Sequence, residues 1–287
     1  MNIKDKIKKI GLTQTIDDIA GNRFSYLKFL WCKLTHRIYF GSYLGASQGK
    51  PIRHFYMQEI VREYCKTHKE TISLLELGSW AGGSAITWAE AIKRDCPKRG
   101  RVICIDPWID YLDPFSDQEW VHTIARKAVK CDNIYKLFLH NIITSKNSDI
   151  ISILRGSADE IRPLLKDETF DIIFIDANHA YDFIFNDIKN FTPLLKNGGI
   201  LCGDDLQLQY KDVDHSSIIQ MKNHDVVEDP LTQKRYHPGV TLAVHDYFKD
   251  DISVWEGFWA MRKKGDCWEK IFLDVKPNEV IIPKHLR

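Results

Sequence analysis

The chain has 287 residues, of which 44% are hydrophobic and 28% charged, a composition typical of a globular protein with one substantial core. Its formal net charge of +1 argues against nucleic acid as a partner. The seven cysteines include no Cys-x-x-Cys pair and no apolar run reaches 18 residues, so we expect a reduced, cytoplasmic protein without a disulfide framework or a membrane span.

Residues 1–70 are predicted to form a helical extension that precedes the main domain. Residues 24–40 combine many aromatic side chains with lysine and arginine, while residues 1–40 carry an excess of basic over acidic residues. Such a helix suits a peripheral contact with a membrane surface. It equally suits packing on the main domain or on a second copy in a homo-oligomer. Residues 41–53 are expected to form a loop that can fold over a cofactor.

From residue 73 onward, apolar strands alternate with helices, which predicts an α/β fold with a parallel sheet. The strands are expected at about 73–77, 101–106, 150–155, 170–175 and 199–204. Residues 258–263 and 268–274 then predict a closing antiparallel hairpin. We expect one domain over residues 71–287. The long segments at about 109–149 and 206–238 are candidate substrate-binding insertions.

The run from residue 74 to residue 84, Leu-Leu-Glu-Leu-Gly-Ser-Trp-Ala-Gly-Gly-Ser, predicts a strand, a tight turn and the start of a helix. Glycines let the backbone approach a ligand closely, and a carboxylate just before the turn can hold a cationic group. The spacing differs from the Gly-x-Gly-x-x-Gly of dinucleotide sites. The run resembles the first motif of class I S-adenosylmethionine-dependent methyltransferases. The candidate cofactor contacts in it are Glu76, Gly78, Ser79, Ala81, Gly82 and Ser84.

Further cofactor contacts are expected after the second and third strands. Asp106 ends the second strand, where a carboxylate typically accepts hydrogen bonds from ribose hydroxyls. Trp108 is placed to cover one face of an adenine. The resemblance implies that Ser157 and Ala158 contact the adenine, although Ser157 equally suits the N-cap of a helix.

Three carboxylates follow the fourth and fifth strands. Asp176 ends one strand, and Asp204 with Asp205 ends its expected neighbour, so all three should open on the same crevice. Their mutual repulsion calls for a cation or for protonation, and an oxygen ligand set suits Mg²⁺, Mn²⁺ or Ca²⁺. We therefore expect a metal site formed by these three residues, with Asp176 also a catalytic and cofactor contact. The alternative is that the paired acids are merely solvated strand ends.

His179 lies three residues beyond Asp176 and is our preferred general base, or else a group that orients the acceptor hydroxyl. Asp187 lies two helical turns further on and either buttresses His179 or occupies a helix surface. His215, His224, His237 and His245 lack metal-binding spacing and are expected on the substrate side or on the surface.

The stretch Ile-Asp-Ala-Asn-His-Ala-Tyr, followed by Asp187 and by the paired acids, resembles the methyltransferases that include macrolide-sugar O-methyltransferases and cephalosporin-hydroxylase-like proteins. The resemblance implies a seven-stranded Rossmann-like sheet, and it implies that Asp176, Asp204 and Asp205 bind a divalent ion. One departure is that Ala177 and Asn178 replace the Gly-Asp that usually follows the strand-four acid.

The sequence thus predicts transfer of a methyl group from S-adenosylmethionine to a hydroxyl of a sugar in a polysaccharide, glycolipid or natural product, with metal assistance. Two alternatives are an NAD-dependent oxidoreductase and a non-catalytic binding protein on a methyltransferase scaffold. The oxidoreductase fits the first turn and Asp106, but neither the glycine spacing nor the closing hairpin.

Overall fold

The computed structural model describes residues 12–48, 50–98, 100–109, 119–249, 251–273 and 282–286, with side chains from residue 23 in the first range and from residue 123 in the fourth. The basic residues 4–10 and part of the first predicted insertion, residues 110–118, lie outside the described residues.

The core of the fold is one sheet whose central five strands are parallel and lie in the order β5-β4-β1-β2-β3. Strand β9 adds antiparallel to the free edge of β5, and both β8 and β10 pair with β9. The strands are β1 (Ser73–Leu77), β2 (Arg101–Asp106), β3 (Ile151–Arg155), β4 (Phe170–Ile175), β5 (Leu195–Gly203), β8 (Ser253–Trp255), β9 (Phe258–Lys264) and β10 (Cys267–Lys270). The predicted five parallel strands and closing hairpin are confirmed, with β8 as an additional short strand.

Strands β1 and β4 are buried along their whole length, as expected for central strands covered on both faces. Their carboxyl ends open on the same edge of the sheet as that of β5. This edge therefore brings together the turn after β1, the segment after β4 and the paired acids after β5.

Helices pack on both faces of the sheet and separate its strands in sequence. They are α2 (Ile52–Thr67), α3 (Gly83–Asp95), α6 (Ala158–Ile161), α7 (Tyr181–Phe191) and α9 (Pro238–Phe248). Helix α9 begins at a proline, which suits the first helical position because its missing N–H is not needed there.

Both predicted insertions carry secondary structure of their own. The first contains α4 (Glu119–Val129) and α5 (Asn133–Thr144). The second contains α8 (His215–Met221) and a small antiparallel pair, β6 (Val227–Glu228) with β7 (Arg235–Tyr236). Their role in substrate binding stays a prediction.

From residue 23 onward, the N-terminal helix α1 (Leu12–Leu34) packs on the domain through Phe29 and Cys32. Phe29 contacts the rings of Tyr39 and Tyr43, and Tyr39 is fully buried. The helix ends at Leu34, so the aromatic run to residue 40 is helical only in its first part. Exposed apolar side chains line the other face: Phe24, Leu27, Trp31 and Leu34. Membrane contact and a subunit interface both stay predictions for that face. In the described part of the chain, no helix is both long and apolar enough to span a bilayer.

Candidate active site

A cavity of about 600 Å³ lies at the carboxyl edge of the sheet, a size typical of small-molecule sites. The turn after β1 and the end of β2 line one part of it, and the acids after β4 and β5 line another. The predicted N-terminal extension also contributes to its wall, through Gly45, Ser47, Gln48, Lys50 and Arg53 of α2. The predicted residues that line the cavity are Gly78, Ser79, Ser84, Asp106, Ser157, Ala158, Asp176, His179, Asp204 and Asp205.

The turn after β1 passes unusually close to the neighbouring strand. A Cβ atom on Gly78 would lie 2.0 Å from the carbonyl oxygen of Asp176, and the φ angle of Gly78 is +86°. Gly82, the N-cap of α3, also has a left-handed backbone conformation. Glycine is required where space and backbone angle both exclude a side chain. Glycine at position 78 is therefore required by the close packing of the turn against the segment after β4. Close approach of this backbone to a ligand stays a prediction.

Asp106 fixes the shape of this turn through backbone hydrogen bonds. Its Oδ2 atom accepts from the amides of Ser79 and Trp80 at 3.0 and 2.8 Å, and its Oδ1 atom accepts from the amide of Trp108 at 2.6 Å. Burial nevertheless raises the pKa of Asp106 above its ordinary value. The carboxylate thus ties the end of β2 to the turn after β1. Its contact with a ribose stays a prediction.

Two tryptophans link the turn after β1 to the segment before α2 and to the end of β2, and of the two only Trp80 lines the cavity. The Trp80 Nε1–H donates to the carbonyl of Gly45 at 2.8 Å, and the Trp108 Nε1–H donates to the carbonyl of Trp80 at 2.8 Å. The Trp108 ring is buried between Tyr135 and Phe138. The structure therefore places Trp108 in the core and not on the cavity wall, unlike the expected adenine cover.

Glu76 also lies behind the cavity wall, together with Ala81 and Gly82. Its Oε2 atom accepts a hydrogen bond from the Ser79 hydroxyl at 2.9 Å, while its Oε1 atom is buried with no hydrogen-bond partner among the described atoms. Burial raises the pKa of Glu76 to about 7. A buried carboxyl with one unpaired oxygen is costly, so this group is poised to pair with a cation or to remain protonated. Its contact with the cofactor stays a prediction.

At the third strand, Ser157 is the N-cap of α6. Its hydroxyl accepts from the amide of Glu160, while the Glu160 carboxylate accepts from the amide of Ser157 in return. The predicted helix cap is confirmed, and Ser157 and Ala158 still line the cavity. Both interpretations of this segment are therefore compatible, because the cap fixes the backbone that faces the ligand.

The three predicted acids meet, as expected, but a guanidinium lies among them. Nη1 of Arg53 lies 2.9 Å from Oδ2 of Asp176 and 2.6 Å from Oδ2 of Asp204. All three side chains are less than one-fifth exposed. Burial raises the pKa of Asp176 to about 6 against the opposing effect of Arg53. Arg53 is the second residue of α2, and the sequence assigned it no role.

This arrangement does not fit an ion held jointly by Asp176 and Asp204. A divalent ion would need to lie within about 2.6 Å of an oxygen of each carboxylate, and Nη1 of Arg53 occupies that position. Among the described residues, a closer group of possible ligands is formed by Asp176, His179 and Asp205. The three residues predicted to bind the metal therefore do not form one group. Asp204 pairs with the Arg53 guanidinium, whereas Asp176 and Asp205 form a group with His179.

His179 lies beside this acid cluster and contacts two carboxylates. Its Nδ1 atom is 2.6 Å from Oδ1 of Asp225, and its Nε2 atom is 3.2 Å from Oδ2 of Asp205. The hydrogen bond to Asp225 fixes a proton on Nδ1. In the neutral ring Nε2 therefore keeps its lone pair, and in the protonated ring Nε2 donates to Asp205. Oδ1 of Asn178 accepts a hydrogen bond from the amide of Ala180 and shapes the turn before α7.

Asp205 has a backbone φ of +65°, which is uncommon for a residue other than glycine. This conformation directs its Oδ2 atom to His179 while its Oδ1 atom accepts from the Gln207 side-chain amide at 2.8 Å. Burial would raise the pKa of Asp205, but the hydrogen bond and charge of His179, with His237 and Arg53, lower it below its ordinary value. Asp205 is therefore a firmly ionised carboxylate.

The carboxylate that supports His179 is Asp225, and not Asp187. Asp187 lies along α7, where burial and the negative charge of Asp159 raise its pKa to about 7. Asp225 comes from the second insertion, and no motif in the sequence pointed to it. His237, expected only on the substrate side or the surface, packs edge-on against His179 with ring centroids 4.4 Å apart and lies 3.0 Å from Oε1 of Gln207.

The comparisons with known proteins agree with this geometry. Residues 75–206 match the family described as "Methyltransferase domain". No curated protein matches the sequence significantly.

Three solved structures illustrate the similarity. The O-methyltransferase TomG from Streptomyces achromogenes, involved in tomaymycin synthesis, is 17% identical over 74% of this chain and 79% of its own, with a TM-score of 0.45. The Bacillus cereus O-methyltransferase in complex with S-adenosylhomocysteine is 19% identical over 87% of this chain and 94% of its own, with a TM-score of 0.45. The O-methyltransferase NovP is 16% identical over 74% of this chain and 80% of its own, with a TM-score of 0.48. At these TM-scores the similarity assigns no residue a role.

The matched segment runs from within β1 to just beyond β5 and includes the close turn at Gly78 and the acids Asp106, Asp176, Asp204 and Asp205 of the cavity wall. The antiparallel β9 beside β5 closes the sheet in the way expected for this family and unlike an ordinary dehydrogenase. Residues 75–206 thus match a methyltransferase domain, and the order of the parallel strands together with the antiparallel β9 agrees with that match.

Proposed function

We propose that this enzyme transfers the methyl group of S-adenosylmethionine to a hydroxyl oxygen of a sugar-containing acceptor. The observation that carries the proposal is the position of His179, which lines the same cavity as the turn after β1 and is held by Asp225 at 2.6 Å. An oriented imidazole beside the donor site is what removal of a hydroxyl proton requires.

The cofactor is assigned to the part of the cavity formed by the turn after β1. The backbone at Gly78 and Ser79 lies against its methionine portion, Asp106 is the candidate partner of the ribose, and Ser157 and Ala158 are the candidates for the adenine. Glu76 supports the turn from behind through Ser79. These assignments follow the strand order, since ligands of such sheets bind across the carboxyl ends of the central strands.

In the proposed reaction, the neutral ring of His179 accepts the proton of the acceptor hydroxyl at Nε2. The oxygen forms a bond to the methyl carbon while the carbon–sulfur bond of the sulfonium breaks, which releases S-adenosylhomocysteine. The proton remains on Nε2, where the Asp205 carboxylate at 3.2 Å stabilises the imidazolium. Asp225 holds the ring in the required tautomer throughout. The remaining task of the protein is alignment of oxygen, carbon and sulfur.

A sugar fits the chemistry of the cavity rim. Phe183 is 59% exposed and offers an apolar face, while Lys50, Gln207 and Glu256 provide polar groups around it. One apolar face combined with several hydrogen-bonding groups suits a ring that carries hydroxyls on its edge. A polysaccharide, a glycolipid and a glycosylated natural product share this chemistry.

The test is a methylation assay with S-adenosylmethionine and a panel of sugar-containing acceptors, preceded by calorimetry with S-adenosylhomocysteine and with NAD. We expect binding of S-adenosylhomocysteine and methylation at oxygen. Preference for NAD would support the oxidoreductase alternative, and methylation at nitrogen or carbon would contradict the assigned acceptor atom. Cofactor binding without turnover on any acceptor would favour a non-catalytic binding role.

A further inference from the structure

Arg53 is the most unusual component of the site, because it places a fixed positive charge between two acids that follow neighbouring strands. Its Nη1 atom lies 2.9 Å from Asp176 and 2.6 Å from Asp204. Arg53 lies on helix α2, which is outside the matched methyltransferase segment. We propose that the Arg53 guanidinium takes the place of a divalent ion between Asp176 and Asp204, so that this enzyme works without a metal there; this inference rests on the proposed methyl transfer.

The first argument is positional. An oxygen-bound divalent ion lies about 2.0 to 2.6 Å from each carboxylate oxygen, and Nη1 already lies at nearly that distance from both. A second cation placed there would be repelled by the guanidinium at very short range. The side chains of Arg53, Asp176 and Asp204 are 16%, 13% and 11% exposed, so solvent screens this repulsion little.

The second argument is that His179 belongs to both of the other groups of residues that could bind a metal ion. Among the described residues these groups are Asp176 with His179 and Asp205, and His179 with Asp225 and His237. Both ring nitrogens of His179 already face carboxylates, at 2.6 Å and 3.2 Å. An ion bound through His179 would remove the lone pair that the proposed reaction uses.

The third argument concerns what the guanidinium supplies. Arg53 remains charged at any working pH, and burial, which would lower its pKa, is outweighed by Asp176 and Asp204, which raise it. Arg53 lines the cavity. A fixed cation at this position can stabilise developing negative charge on an acceptor oxygen. It cannot act as a Lewis acid, so proton removal is left to His179.

The test is a titration of the full-length protein with Mn²⁺, followed by electron paramagnetic resonance of the free ion. No acceptor is needed, so the result is independent of whether the proposed methyl transfer is correct. We expect no stoichiometric binding to the wild type. Arg53→Ala opens the space between the two acids and should bind one Mn²⁺ at least about tenfold more tightly than the wild type.

Arg62→Ala is the matched control, because Arg62 lies on the same helix with its side chain 48% exposed and pairs with Glu59. This variant should behave as the wild type. Adding Asp204→Asn to Arg53→Ala should abolish the new binding. Calorimetry with S-adenosylhomocysteine confirms that each variant is folded, and Arg53→Gln, which keeps most of the side-chain volume, replaces Arg53→Ala if the latter does not fold.

Tight stoichiometric binding of Mn²⁺ by the wild type would overturn the inference. Failure of both Arg53 variants to gain a site would overturn it as well, since the space between Asp176 and Asp204 would then not be one that an ion can occupy. A wild type that binds no Mn²⁺ beside a variant that binds one supports it.

Discussion

Oδ1 of Asp225 lies 2.6 Å from Nδ1 of His179, although 46 positions separate the two residues in the chain. His179 follows the central strand β4, whereas Asp225 belongs to the second insertion, just before β6. The proposed base is therefore oriented by a residue from outside the matched family segment.

Replacement of Asp225 by asparagine should lower kcat by about 10- to 100-fold, because an amide can hold the ring but cannot stabilise the imidazolium. The KM values for both substrates should change little. Steady-state kinetics measures kcat and the KM values separately. Asp225→Glu, which keeps a carboxylate, should have a kcat between those of Asp225→Asn and the wild type. Asp212→Asn, an exposed position in the same insertion, is the control. An unchanged kcat in Asp225→Asn would remove Asp225 from the mechanism.

His179→Gln should reduce turnover by about 10²- to 10⁴-fold while S-adenosylhomocysteine still binds. Glutamine retains a polar side chain but cannot accept and release a proton at neutral pH. Single-turnover kinetics and calorimetry separate the two effects. His215→Gln tests the specificity of the loss, since His215 is exposed and contacts the Tyr210 carbonyl. Equal turnover in the two variants would speak against a catalytic role.

Gly78→Ala should destabilise the protein far more than Gly265→Ala does. Both glycines have positive φ angles, so each substitution incurs a backbone cost of about 1 to 2 kcal/mol. Only at Gly78 does the added Cβ also meet backbone, 2.0 Å from the Asp176 carbonyl oxygen, whereas nothing lies within 4 Å at Gly265. We expect a loss of at least about 3 kcal/mol at Gly78, measured by urea unfolding. Equal losses would show that the turn relaxes freely.

Glu76→Gln should change how stability depends on pH. The pKa of Glu76 is raised to about 7 in the folded protein from an ordinary 4.5, so its contribution is full below 4.5 and is lost as pH rises through about 7. Glutamine does not titrate, so the stability of the Glu76→Gln variant does not change with pH for this reason. The stability of Glu76→Gln relative to the wild type should therefore increase by about 3 kcal/mol over that range in cofactor-free protein.

Chemical unfolding at a series of pH values measures this difference for Glu76→Gln. Glu70→Gln, at a position whose side chain is 82% exposed, is the comparison and should show no such trend. If the difference in the free energy of unfolding between Glu76→Gln and the wild type did not change with pH, the Glu76 carboxylate would be stabilised by more partners than the unpaired Oε1 atom indicates.

The sheet was predictable because its strands carry strong local signals. Residues 170–175 are apolar apart from Asp171 and are buried throughout, and glycine-containing turns mark the ends of β1 and β5. Strand β8 was not predicted, because three residues are too short to show a periodic pattern. The length of α1 was misjudged for a similar reason, since an aromatic composition does not mark where a helix stops.

The site was predictable only where its residues follow the central strands. Asp176, Asp204 and Asp205 meet because parallel strands place their carboxyl ends together. Arg53 and Asp225 reach the same place from other elements, through contacts across 123 and 46 positions of sequence. Trp108 was misplaced because a tryptophan after a strand can turn to either side of it, and packing with Tyr135 and Phe138 decides the side.

The hydrogen bond between the second insertion and His179 constrains any attempt to redesign acceptor choice. Grafting a foreign loop in place of residues 206–238 would exchange the rim of the cavity, but it would also discard the partner that sets the imidazole tautomer. A chimera made in this way should fail even on an acceptor that its new loop binds well. Designs that keep the Asp225 carboxylate and vary its neighbours separate selectivity from reactivity.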